Sequence, residues 1–139
     1  MKTIPLTQGQ EAIVDDEDFE ALSRYKWTAW WNPSSKSYYA YRMPTVNGRR
    51  VRVTMHRQLL GLSHGDRLQG DHINRNTLDN RKRNLRIATA SQNGMNRTKN
   101  GNNTSGFKGV VKCYKKWQAV IIVNRKRITL GLHDTPELA

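Results

Sequence analysis

Apolar residues in this chain fall in short runs separated by turn-forming residues, the pattern of several small sheets rather than long helices. Ile4-Pro5-Leu6 reads as a short extended start. Asp15 or Asp16 caps a short helix with Phe19 and Leu22 on its apolar face, and acids in the first turn suit the helix dipole. Trp27, Trp30 and Trp31, then Tyr38, Tyr39 and Tyr41, bracket Asn32-Pro33-Ser34-Ser35, which reads as a turn. Val46-Asn47-Gly48-Arg49 carries the Asn-Gly hairpin signal and leads into residues 51–55 with strand alternation. Residues 1–55 are therefore expected to form a small β-rich unit. Its aromatic side chains have two readings, as core anchors or as platforms for stacked bases. The core reading is preferred, because small sheets need such anchors.

Residues 56–97 form a second expected unit. His56-Arg57-Gln58-Leu59-Leu60-Gly61 reads as a helical turn ended by its glycine. Residues 67–72 read as a strand, Asn74-Arg75-Asn76 as a turn, and residues 85–88 as a second strand. Thr89 followed three residues on by Gln92 is a capping-box pattern, opening a helix that reaches Arg97. The order is strand, turn, strand, helix. Residues 98–105 hold no apolar residue and read as a flexible polar linker. In residues 106–139, strands are expected over 107–112, 117–123 and 127–130, with Asn124-Arg125-Lys126 turning between the last two. Alternation puts Gln118, Val120 and Ile122 on one face and Trp117, Ala119, Ile121 and Val123 on the other. Thr135-Pro136 resembles a helix start, so a helix is expected to have been cut off after it.

Charge narrows the choice of partner. The 139 residues hold 24 Lys and Arg against 11 Asp and Glu, a formal +13. Six of the acids lie between Glu11 and Glu20. From Arg24 to His133 there are 23 basic residues and three acidic ones, a net +20. Such a field attracts polyanions, and counterion release favours nucleic acid; a merely solvated basic surface or a ribosomal-type protein is the bland alternative. No window of about 18 apolar residues exists to cross a membrane, and residues 1–10 lack the layout of a signal peptide. The single cysteine, Cys113, excludes an internal disulfide framework and fits a reducing compartment. No Gly-rich phosphate loop and no paired zinc-ligand spacing is present.

The chemistry-bearing cluster is Asp71-His72 at the end of the first strand, with Asn84 twelve and Asn93 twenty-one residues after His72. If the two strands and the helix fold together, a carboxylate, an imidazole and an amide oxygen meet in a positive field. Asp71 and the Asn93 carbonyl offer oxygens to a hard cation such as Mg²⁺. His72, held neutral, can take a proton from water. Asn84 would orient the imidazole or tie the strands together. On residue types alone the cluster is weak: Asp71, Asn84 and Asn93 also suit turns and caps, and His72 a half-buried structural role. His56 reads as a structural neighbour of the site. Arg81, Lys82 and Arg83 read as phosphate contacts or as a solvated charge run, as do Arg125, Lys126 and Arg127. Arg97 and Lys99 would track a nucleic-acid backbone.

The segment Asp71-His72-Ile73-Asn74, then Asn76-Thr77-Leu78-Asp79-Asn80-Arg81, Asn84-Leu85-Arg86 and Ser91-Gln92-Asn93-Gly94-Met95-Asn96-Arg97 closely resembles the HNH, or ββα-metal (His-Me finger), endonucleases, most of all the homing type of phages and bacteria. The resemblance implies His72 as general base, Asp71 and Asn93 as ligands of one oxygen-bound divalent ion (Mg²⁺ or Mn²⁺), and Asn84 as a buttress of the hairpin. Arg75 stands where relatives often have Gly, and would tighten DNA contact or strain the turn. Pro5-Leu6-Thr7, Ala12-Ile13-Val14-Asp15, Tyr25-Lys26-Trp27 and Met55-His56-Arg57 are similar to the N-terminal part of such proteins. Ser105-Gly106-Phe107-Lys108-Gly109-Val110, Lys116-Trp117-Gln118-Ala119 and Leu130-Gly131 with Asp134-Thr135-Pro136 resemble the start of an AP2 DNA-binding domain, whose sheet enters the major groove with a helix behind it. Without that helix a three-stranded sheet is marginal. Lys108 and Lys112 would then join the DNA-binding residues, and Val120 and Ile122 would meet thymine methyls or pack as core.

Together these imply an α+β chain: a β-rich N-terminal unit, a nuclease core and a truncated AP2-like module. The expected function is metal-dependent hydrolysis of a phosphodiester in double-stranded DNA, by a monomer that nicks or a homodimer, in the cytoplasm of a bacterium or phage-infected host, with no membrane partner and no small-molecule cofactor. A non-catalytic DNA-binding protein that keeps the motif as a relic is the alternative, and a structural RNA-binding protein a third.

Overall fold

The computed structural model describes every residue except Thr98, Asn124 and Arg125. The chain is an α+β protein, mostly sheet, with three helices among the described residues. No helix among them is long and apolar enough to cross a membrane. It divides into two units, Met1–Asn96 and Arg97–Ala139.

The first unit starts with an antiparallel pair, β1 (Lys2–Pro5) and β2 (Glu11–Val14), in which Ile4 and Ala12 face each other. Helix α1 (Asp16–Ser23) follows, with Asp16, Glu17 and Asp18 in its first turn. Asp15 stands at the cap position, but its carboxylate makes no capping bond; it accepts instead from the backbone N–H of Lys82 at 2.8 Å. Strands β3 (Thr28–Asn32) and β4 (Ser37–Arg42) then pair across the expected turn. β5 (Thr45–Val46) and β6 (Arg49–Arg50) flank Asn47 and Gly48, both at positive φ, as an Asn-Gly hairpin turn requires. The strand expected over 51–55 shrinks to β7 (Val53–Thr54), paired with β4. Met55 already begins helix α2 (Met55–Leu59), which buries Met55 and His56 together.

Ile4, Ala12, Val14, Leu22, Trp27, Ala40 and Met55 make the core, with Leu6, Phe19 and Leu59 packed against it. Trp27 is the core anchor, and its indole N–H donates to the Leu22 carbonyl at 2.9 Å. Met55 and His56 of α2 pack with residues of 1–55, so residues 1–55 and 56–96 share one body.

The unit ends with β8 (Gln69–His72) and β9 (Leu85–Ala88), antiparallel with His72 opposite Leu85, and then helix α3 (Ala90–Asn96). The expected first strand thus starts two residues late, at Gln69. The capping box at α3 is reciprocal: Gln92 N–H donates to Thr89 Oγ1, and Thr89 N–H donates to Gln92 Oε1 at 2.9 Å.

In the second unit, β10 (Val110–Cys113), β11 (Lys116–Val123) and β12 (Lys126–His133) form an antiparallel sheet. The expected strand start at 107 gives way to a turn, where Gly109 has φ +79° and an added Cβ would lie 2.8 Å from the Val120 carbonyl. A bulge interrupts the ladder: Ala119 pairs with Gly131 but Val120 with Thr129, leaving Leu130 opposite nothing. The expected linker carries turns of its own, with Asn103 N–H donating to Asn100 O and Ser105 Oγ to Val110 O. Of the expected 124–126 turn only Lys126 lies within the described residues; Arg125 lies outside them.

Candidate active site

Asp71 and His72 sit at the end of β8, where the strand leaves its partner and a twelve-residue loop, 73–84, begins. Both are buried, Asp71 at 6% and His72 at 4% exposure. The loop is held from inside. Asn84 Oδ1 accepts from the Asn74 N–H at 2.9 Å, and its amide donates to the Asp79 carbonyl at 2.7 Å. Ile73 N–H donates to the Asn84 carbonyl. Asn84 therefore ties the loop together and makes no hydrogen bond to the imidazole among the described residues. The loop is also held from outside: β2 clamps it through Ile13, whose N–H donates to Leu78 O and whose carbonyl accepts from Asn80 N–H, both at 2.8 Å.

The partner of the imidazole is Asn80, a fully buried residue of that loop. Its amide donates to Leu78 O, which turns Oδ1 toward His72 Nε2 at 3.3 Å. An oxygen facing Nε2 places the ring proton there and leaves the lone pair on Nδ1. Burial holds the His72 imidazole below its ordinary pKa, against the opposing pull of Asn80, Asp71 and Asp79. His56 packs beside it, ring centroids 4.9 Å apart, and Tyr39 touches both rings. Burial, then the neighbouring His72 and Arg57, push His56 down to about 3. The close fit needs Gly70: a Cβ there would lie 2.5 Å from His56 Cδ2.

Asp71 is engaged on two sides. Arg86, opposite it on β9, donates through Nε and Nη2 to Oδ2 at 2.9 and 2.7 Å. From α3, Asn96 Nδ2 donates to both carboxylate oxygens at 3.0 and 3.2 Å and to the His72 carbonyl at 2.9 Å. Asn93, one turn earlier on α3, donates to Gln69 Oε1 at 2.7 Å rather than to Asp71. The helix residue touching the carboxylate is therefore Asn96. Asn93 lies beside it, its own carbonyl oxygen taking no bond among the described residues. Among the described residues no group of three His, Cys, Asp or Glu converges.

The basic residues sort themselves by partner. Arg81 is a strut: it grips both oxygens of the buried Asp79 at 2.6 Å, and that guanidinium keeps the Asp79 carboxyl below its usual range. Lys82 pairs with Glu17 and Asp18. Arg83 is exposed with no partner among the described residues, and so is Arg75, whose φ of +66° puts a side chain where glycine fits better. In the second unit Arg97 and Lys126 are exposed, Lys99 and Lys108 donate to the carbonyls of Gly106 and Arg97, Lys112 lies over Trp117, and Arg127 donates to Gln118.

Sequence reasoning missed Asn80, Arg86 and Asn96, whose roles depend on register. It also passed over Arg49, Arg50 and Arg52, exposed around the Asn-Gly hairpin, with Arg52 over the rings of Trp30 and Tyr41. Their signal was the Arg spacing beside a hairpin turn. Trp27 is core, as the preferred reading has it, whereas Trp31 is 45% exposed and packs against Tyr38. The apolar hollow lined by Ile4, Leu6, Tyr25 and Trp27 shares no residue with the Asp71–His72 cluster. The hollow offers no carboxylate or imidazole, so the polar cluster, buried as it is, is the better candidate for chemistry. No family model, curated protein or solved structure matches the chain.

Proposed function

We propose that the chain is a divalent-metal-dependent endonuclease of the ββα-metal kind that hydrolyses a DNA phosphodiester, with the unit of residues 97–139 as an accessory DNA-binding sheet. The observation that carries it is the imidazole of His72, held below its ordinary pKa by burial and fixed in one tautomer by Asn80, beside a buried carboxylate. Its Nδ1 takes a proton from water. The water oxygen bonds to phosphorus, and the bond from phosphorus to the 3′-oxygen breaks as that oxygen is protonated from solvent. At 4% exposure the ring is shielded from bulk water.

The residues at hand fit a hard cation. Asp71 would supply a carboxylate, and the side-chain oxygens of Asn93 and Asn96, whose nitrogens now donate to Gln69 and Asp71, would join it, the donor class that Mg²⁺ or Mn²⁺ prefers. When bound, the ion supplies charge stabilisation to the phosphate and the departing oxygen. Arg75 and Arg83, and Arg49, Arg50 and Arg52 on the hairpin, neutralise backbone phosphates.

A second reading is favoured by the Arg86–Asp71 ion pair, which already neutralises the carboxylate: a DNA-binding protein that no longer cuts. Supercoiled plasmid incubated with the purified chain and Mg²⁺, or with EDTA, separates the two. Nicking that requires the metal and disappears in His72→Ala supports the nuclease. Binding without nicking at any Mg²⁺ or Mn²⁺ concentration overturns it.

A further inference from the structure

We infer that Arg86 is the resident counter-ion of Asp71, holding the metal-ligating carboxylate until a divalent cation displaces it. The inference rests on the nuclease reading and adds a mode of regulation to that site. Three features carry it. Both guanidinium contacts fall on one oxygen, Oδ2, so among the described residues Oδ1 is held by the Asn96 amide alone, which also reaches Oδ2. The Arg86 side chain is 44% exposed while that of Asp71 is 6% exposed, so the arginine can swing into solvent and the carboxylate cannot. The two residues face each other across β8 and β9, so the backbone ladder fixes their spacing.

A buried carboxylate without a cation is costly, and Arg86 removes that cost in the metal-free protein. The same contact opposes the ion, because a guanidinium on Oδ2 repels a second cation arriving at the carboxylate. Once displaced, the guanidinium stands at the rim of the site with its fork of donors free, a geometry that suits a phosphate. DNA, which gives Arg86 an alternative anion, then lowers the barrier to metal entry, and metal entry frees Arg86 for DNA. Binding of the two is mutually favourable for this reason, apart from any direct contact between them.

Mn²⁺ binding to the full-length chain without DNA, followed by calorimetry and by the loss of the free-ion electron paramagnetic resonance signal, tests this. Arg86→Met is expected to bind Mn²⁺ at least about tenfold more tightly than the parent, given the strength of unit-charge repulsion at short range. Arg86→Lys, which keeps the charge with a single point donor, falls between them. Lys26→Met, which removes one exposed charge after α1, controls for net charge and stays within about twofold of the parent. Unchanged or weaker Mn²⁺ binding in a folded Arg86→Met, or an equal gain in Lys26→Met, overturns the counter-ion role. Asp71→Asn separates the two failures: if it binds Mn²⁺ as well as the parent, the metal reading of the site has itself failed, whereas its loss beside an unaltered Arg86→Met sinks the counter-ion role alone. Thermal melts of each variant by circular dichroism establish that it is folded.

Discussion

In residues 1–96, His56, Asp71, His72, Asp79, Asn80 and Asn84 are buried polar side chains, each with a hydrogen bond, ion pair or ring contact. In residues 97–139, Ser105 is the buried polar residue, while Phe107, Ile122, Leu130 and Leu132 stand at 45–66% exposure. A buried polar group left unpaired costs about 1–3 kcal/mol, so a network this dense persists only where its members fit one another. An exposed apolar side chain carries no such demand. The first unit thus specifies a single arrangement through its polar interior, and the second rests on its backbone ladder with little apolar cover. Fixed distances between polar groups are a property of the first unit, and an exposed apolar sheet face a property of the second.

The sharpest attempt to break this contrast removes the imidazole. His72→Ala should slow metal-dependent nicking by about 10²–10⁴-fold with duplex affinity nearly unchanged, because a general base contributes that much to rate. Retained rate in a single-turnover assay would assign the base elsewhere. Next comes the core: Trp27→Ala should cost about 3–5 kcal/mol in urea unfolding. Its counterpart in the second unit, Ile122→Thr at a 64% exposed position, should move stability by no more than about 0.5 kcal/mol. Comparable losses would mean that the second sheet has a covered face. Asn84→Ala should cost about 1–3 kcal/mol by freeing the Asn74 N–H and the Asp79 carbonyl.

Acid should separate the units as well. His56 is neutral in the folded chain down to about 3, while unfolded histidine takes a proton near 6.5. The unfolded state therefore binds more protons between those values. Stability contributed by the neutral ring is intact above pH 6.5, drains as pH falls, and is gone below about 3, at up to about 1.4 kcal/mol per pH unit. His56→Gln should flatten this limb in chemical unfolding followed at several pH values; an unaltered slope would place the proton-linked step at another group. A small gain is expected from Arg75→Gly, which relieves a left-handed backbone and should add about 0.5–1 kcal/mol. A lower melting temperature would show that the arginine side chain matters more than its strain.

What the sequence disclosed was local. The Asn47-Gly48 turn, the Thr89–Gln92 capping box and the 85–88 strand follow from residues within a few positions of each other, where backbone preference and cap chemistry act alone. The adjacency of Asp71 and His72 was legible for the same reason. Asn80 against His72, Arg86 against Asp71 and Asn96 beneath both depend on strand register and helix placement, which no short window holds. Arg81 and Lys82 looked like open cations because Asp79's oxygens, and the acids of α1, reach them only after folding. The strand expected at 51–55 yielded at Met55 because burying that side chain in the core outweighed the local alternation.

The clamp of Ile13 on residues 78 and 80 carries a consequence for how this protein reaches its native form. Two segments far apart along the chain must meet before the loop bearing Asn80 is held in place, and closing so long a loop is entropically slow. The hairpin of β8 and β9 can zip early, but the tautomer of its histidine is set only once the amino-terminal strand arrives. A fragment that begins at residue 56 would carry Asp71 and His72 without the strand that holds the loop bearing Asn80.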